Sequence, residues 1–198
     1  MRPNKIIITI LLLIMISLIP VRTEASELGF SVQAILPDNQ IDPLHTYFDL
    51  MMKPNQKQAI QVAITNDKEE DIQVQVYVNT AMTNKNGIIQ YSETAPKLDS
   101  SLKTPFKSIA KTENIVTVPS KSTKNISVDI QMPQEKYDGI ILGGLYFMEK
   151  KADKATGSKD NIQITNRYSY TIGVVLRESD TEVLPDLNLQ KNKKKDSL

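Results

Sequence analysis

Polar and apolar residues alternate with a period of two through most of the chain beyond its first 25 residues. Phe30, Val32, Ala34 and Leu36 are interleaved with Ser31, Gln33 and Ile35, and Ile60, Val62 and Ile64 with Gln61, Ala63 and Thr65. Ile72, Val74, Val76 and Val78 give the cleanest run. Ile126 to Met132 and Tyr168 to Leu176 repeat it. Successive side chains of a strand point to opposite faces, so each segment predicts a strand with one core face and one wet face. Turn residues separate the segments: Lys53-Pro54-Asn55, Asn66-Asp67, Asn86-Gly87, Asp138-Gly139 and Thr156-Gly157-Ser158. No stretch sustains an apolar repeat of 3.6. Short strands at this spacing predict an all-β fold, an antiparallel immunoglobulin-like β-sandwich, although the Cys and Trp that mark antibody domains are missing.

Two segments depart from alternation. Gly139 to Phe147 is apolar on both faces, which predicts a strand covered on both sides, and its Gly143-Gly144 pair predicts a bulge or a close backbone approach. Lys150 to Asp160 is polar and predicts an exposed hairpin loop before Ile162-Gln163-Ile164.

The first 25 residues have a different character. Arg2 and Lys5 precede an apolar run from Ile6 to Ile19, shorter than the ~20 residues of a membrane span. Pro20 ends the run, and Thr23 and Ala25 place small residues before Ser26. This pattern predicts a signal peptide over 1–25 and a secreted protein with no transmembrane anchor after cleavage. The expected organisation is one sandwich domain over 26–180 and a basic, disordered tail over 181–198.

Composition removes most chemistry. The chain has no Cys and one His, so disulfides, thiolate metal sites, a cysteine nucleophile and two-histidine zinc motifs are excluded. A serine triad would have to use His45, which has nothing else in its favour. A formal net charge of +1 provides no field for nucleic acid. No catalytic residues, cofactor or metal are expected. Asn84-Lys85-Asn86-Gly87 reads as a type I′ hairpin turn, with a ligand loop as the alternative. Glu69-Glu70-Asp71 reads as a solvated turn, and Asp49, Asp99 and Asp138 are singles that spacing cannot pair. Asn125-Ile126-Ser127 matches a glycosylation sequon but falls inside a strand pattern. Tyr47, Tyr91 and Tyr168 stand at strand ends, where a ring could stack on a sugar or pack on the rim.

Several phrases in fixed order carry a resemblance: Phe30 to Gln40, Tyr47 to Leu50, Ala81 to Asn84 with Asn86 to Tyr91, Met132-Pro133, Tyr137 to Gly144, and Arg167 to Arg177. The set resembles the N-terminal domain of the WxL-interacting proteins of Gram-positive bacteria. The resemblance implies a cell-surface protein whose immunoglobulin-like domain binds peptidoglycan, with a WxL-domain surface protein as partner. The second domain and C-terminal membrane span of such proteins have no counterpart after Pro185, so the resemblance is to a truncated form.

The expected function is therefore a non-catalytic module that docks on peptidoglycan, associates with WxL-type proteins, and localises to the cell wall. The alternative is a chaperone-like scaffold that pairs an edge strand with a partner; a wall hydrolase using two carboxylates ranks last. Loop position and aromatic character nominate Tyr47, Asp49, Asn84, Asn86, Tyr91 and Arg167 as ligand-binding residues.

Overall fold

The computed structural model describes residues 29–150 and 168–184. The expected signal peptide, the loop after Lys150, Arg167 and the lysine-rich end lie outside the described residues.

The alternating segments form strands, as their periodicity dictates. They are β1 (Phe30–Ile35), β2 (Phe48–Met51), β3 (Lys57–Asn66), β4 (Ile72–Thr80), β5 (Met82–Thr83), β6 (Ile89–Gln90), β7 (Ala110–Lys111), β8 (Ile115–Val118), β9 (Thr123–Gln131), β10 (Ile140–Glu149) and β11 (Ser169–Arg177). One helical turn, α1 (Phe106–Ile109), precedes β7. Sheet I has the order β1-β3-β9-β7 and sheet II the order β2-β11-β10-β4-β8; β5 and β6 pair as a separate hairpin. The two sheets face each other across one core. Phe30, Ile60, Val62, Ile64, Ile126, Val128 and Ile130 come from sheet I. Phe48, Leu50, Val74, Val76, Leu145, Phe147, Val174 and Leu176 come from sheet II. The fold is an immunoglobulin-like β-sandwich.

One pairing breaks the antiparallel rule. The N-terminal strand is split: β1 pairs antiparallel with β3, and β2 crosses to the other sheet to run parallel to β11. The connection between them is anchored by Gln40. Its Nε2 donates to the carbonyls of Asp42 and Tyr47 at 3.1 and 3.0 Å, and its Oε1 accepts from the Asp49 amide at 3.0 Å. Asn66 ties the sheets together at the opposite end. Its Nδ2 donates to the Val118 and Pro119 carbonyls of the β8 exit at 3.1 and 3.0 Å, while its Oδ1 accepts from the Lys68 amide.

The Asn84–Gly87 turn forms with a different geometry from the one expected. A type I′ turn needs positive φ at both central residues, whereas here only Gly87 has one, at 76°. The Gly87 amide donates to the Asn84 carbonyl at 3.0 Å and the Asn84 amide to the Ile88 carbonyl at 2.9 Å. This is a three-residue loop whose glycine supplies the left-handed step. The Gly143-Gly144 pair introduces no bulge. Its ladder with β11 runs unbroken from Ile140 to Met148, and the glycines serve close approach instead.

Candidate functional site

Strand parity assigns the outward positions of sheet II. Tyr77 of β4 sits beside Tyr146 of β10, with ring centroids 6.2 Å apart. The next outward row joins Asn79, Gly144 and Gly173 on three adjacent strands. Two consecutive glycines across a sheet leave a trough, and the Tyr91 ring lies in it. A Cβ on Gly144 would stand 2.7 Å from Tyr91 Cδ1, and one on Gly173 would stand 3.9 Å from the Tyr91 hydroxyl and 3.8 Å from Tyr47 Cβ. The Asn79 side-chain amide donates to the Tyr91 carbonyl at 2.7 Å and holds the segment down. On the inner face, Phe106 of α1 fills the corresponding space over Gly143. The apolar reading of β10 on both faces is thereby explained at Gly143, Gly144 and Leu145, which are buried, while Ile140 at the strand's start remains exposed.

Tyr47 continues the row and stacks on His45, with centroids 4.6 Å apart and an interplanar angle of 16°. His45 Nε2 lies 3.5 Å from an Asp42 carboxylate oxygen. Four of the seven tyrosines, Tyr47, Tyr77, Tyr91 and Tyr146, therefore share one outer face. Burial, and secondarily the charge of Tyr47, raises the Tyr91 hydroxyl above its ordinary pKa. Two buried polar atoms of this region, Asn79 Oδ1 and His45 Nδ1, have no hydrogen-bond partner among the described residues. At the lower edge, a cleft of about 360 Å³ separates the β5–β6 hairpin from the start of β10, lined by Met82, Ile89, Leu102, Tyr137 and Ile140 among others.

Of the residues nominated from sequence, Tyr47, Asp49 and Tyr91 come together on this face. Asp49 is committed to Arg177: Nε donates to Oδ1 at 3.0 Å and Nη2 to Oδ2 at 2.9 Å, and Asp49 is 6% exposed. A bidentate pair of this kind fixes β2 to β11 and leaves the carboxylate little to offer a ligand. Asn84 closes its own exposed turn, its Oδ1 accepting from the amides of Asn86 and Ile88. Asn86 lies on that same turn, and Arg167 falls outside the described residues. Tyr77, Tyr146, His45 and Asn79 were not nominated from sequence. Alternation on β4 marks Tyr77 as outward, whereas β10 does not alternate and the outward position of Tyr146 follows only from its pairing with Tyr77.

Among the described residues, no group of three or more His, Cys, Asp or Glu could hold a metal ion, and no helix is long and apolar enough to cross a membrane. Solved structures with related strand arrangements include the seventh PapD-like domain of human CEP192, with 8% identity, coverage of 83% of this chain and 95% of that one, and a TM-score of 0.43. A chaperone–tip adhesin complex of CFA/I fimbriae has 16% identity, coverage of 84% and 65%, and a TM-score of 0.47. The E. coli chaperone DraB has 10% identity, coverage of 75% and 54%, and a TM-score of 0.41. No curated protein matches the chain. Residues 30–149 match the peptidoglycan binding domain of the WxL-interacting proteins, and the chain belongs to that family.

Proposed function

We propose that this protein is a non-catalytic peptidoglycan-binding module that presents the tyrosine face of sheet II to the glycan and associates with a WxL-domain protein at the cell wall. The observation that carries the reading is the family match over 30–149. The arrangement of the face supports its location. Tyr77 and Tyr146 supply adjacent rings on which a sugar can stack. Glycan hydrolysis requires two facing carboxylates, and the Asp49 carboxylate on this face is locked to Arg177. Export through the leader, with cleavage before Ser26, brings the module to the wall.

Sedimentation with purified sacculi tests this reading. The wild-type protein should sediment at ~0.5 M salt, where the screening length is only a few Å and charge attraction has faded. Replacing Tyr77 and Tyr146 together by Ala should weaken binding about tenfold, since a stacked ring is worth on the order of 1 kcal/mol, with the melting temperature little changed. Failure of the wild type to sediment, or equal binding by the double variant, rejects the assignment. Co-purification with a WxL protein in the absence of wall tests the partner.

A further inference from the structure

The opposite surface of the sandwich, the outer face of sheet I, has a composition of its own. Three adjacent outward rows cross β1, β3 and β9: Ser31, Thr65 and Thr123; Gln33, Ala63 and Asn125; Ile35, Gln61 and Ser127. None of these nine positions is charged, in a chain where 24% of residues are. The positions on β1 and β9 are exposed and those on β3 half-buried between them. Soluble surfaces ordinarily intersperse charges of both signs, so this is a selective composition.

The side chains indicate what the face meets. Ser, Thr, Asn and Gln each donate and accept hydrogen bonds, whereas Lys only donates and a carboxylate only accepts. Thr65 and Thr123 already use this property on each other, with their hydroxyl oxygens 2.9 Å apart. Protein-binding surfaces are enriched in aromatic residues, Met and Arg and depleted in Ser and Ala, and here Ile35 at one corner is the only large apolar group among the nine. A neutral polymer bearing hydroxyls and amides is the matching partner. The next row, Ala59, Asp129 and Lys111, leads into a groove of about 620 Å³ whose charged lining is Lys57, Lys111 and Asp129. A branch carrying a carboxylate would find two ammonium groups there against the one carboxylate of Asp129.

We propose that the outer face of sheet I is a second glycan-contact surface, on which a neutral strand of N-acetylated sugars lies across β1, β3 and β9 while a carboxylate-bearing peptide branch enters the Lys57–Lys111 groove. The inference rests on the peptidoglycan reading above and extends it. With contact surfaces on opposite sides, one domain joins two glycan strands.

The test compares two variants that add the same charge. Gln61→Glu with Asn125→Asp changes the face almost isosterically. Ser100→Asp with Gln134→Glu adds the same charge at exposed positions elsewhere. Fragmented sacculi at ~0.5 M salt report binding by sedimentation and strand joining by turbidity. The wild type and the control pair should bind and should clump the fragments. The face variant should bind about tenfold more weakly, because losing two-sided attachment removes avidity, and should fail to clump them. At ~0.05 M salt, where ion pairs are little screened, Lys57→Ala with Lys111→Ala should weaken binding to intact sacculi but not to sacculi whose peptide branches an amidase has removed. A face variant that binds and clumps like the control overturns the inference and leaves the tyrosine-face reading standing. A wild type that does not sediment overturns both. Wild-type self-association that the face variant loses, with sacculus binding and clumping unchanged, assigns the face to contacts between copies and overturns the inference.

Discussion

The Tyr91 ring occupies the space that Gly144 leaves by lacking a side chain, with Cδ1 2.7 Å from where a Cβ would stand. Three ring-side atoms of Tyr91 fall within 2.9 Å of that point, so an alanine cannot be accommodated by a rotation of the ring alone. Gly144→Ala should cost about 1–3 kcal/mol, the usual range for overpacking. Gly173→Ala meets its nearest atom at 3.8 Å and should stay within about 0.5 kcal/mol of wild type. Urea unfolding of the two variants checks the contrast.

Val76 and Gln75 are neighbours with opposite fates. Val76 is 1% exposed in the core, whereas Gln75 points outward and is half-buried. Val76→Asp should abolish cooperative unfolding, because an unpaired buried carboxylate costs several kcal/mol against a total stability of about 5–15 kcal/mol. Gln75→Asp should melt within a few degrees of wild type. Thermal melts followed by circular dichroism decide it.

Arg177 is the only described partner holding the Asp49 carboxylate, through two hydrogen bonds of 3.0 and 2.9 Å. Arg177→Met should destabilise the domain by about 1.5–3 kcal/mol, the worth of hydrogen bonds to a charged group. Adding Asp49→Asn should recover part of that loss, because the uncompensated charge goes with it. A double-mutant cycle in denaturant would measure the coupling. Additive effects would contradict the pairing.

Tyr137 ties the approach to β10 to β11, its hydroxyl donating to the Leu176 carbonyl at 3.1 Å. Burial, and secondarily the Glu178 charge, raises its pKa well above the ordinary value of a tyrosine. Folding therefore favours the neutral phenol. The stability it contributes is complete below pH ~10 and declines as pH rises beyond that value, because the unfolded chain then releases the proton and the folded one does not. Tyr137→Phe should flatten the fall in stability above pH ~10. At neutral pH it should cost about 1 kcal/mol for the lost hydrogen bond. Urea midpoints from pH 7 to 11 report both effects.

The long strands were legible because alternation is a local property. β3, β4, β9 and β11 carry their burial pattern in the order of their own residues. β2 was not legible as a strand. Phe48, Asp49 and Leu50 are all buried, and an acid in the middle of an apolar run gives no period. It becomes a strand because β11 supplies a parallel partner and Arg177 neutralises the acid, 128 residues along the chain. The same distinction separates the nominated site residues. Tyr47 and Tyr91 were reachable from aromatic character. That Asp49 is structural, and that Asn84 serves its own turn, depends on partners that spacing does not reveal.

The sequence by itself determined the fold class, through the period of two, and excluded thiol and two-histidine zinc chemistry, through the absence of Cys and the single His. It also carried the family, in those phrases that fall within the match over residues 30–149. Tertiary structure decided which surfaces exist. Asn79, Gly144 and Gly173 are far apart in sequence, and only the register of β4, β10 and β11 sets them side by side to make the trough that Tyr91 fills. The uncharged rows of sheet I arise the same way, from the register of β1, β3 and β9. A strand's own residues choose which side chains face outward, but hydrogen bonding between strands chooses their neighbours, and a ligand meets neighbours.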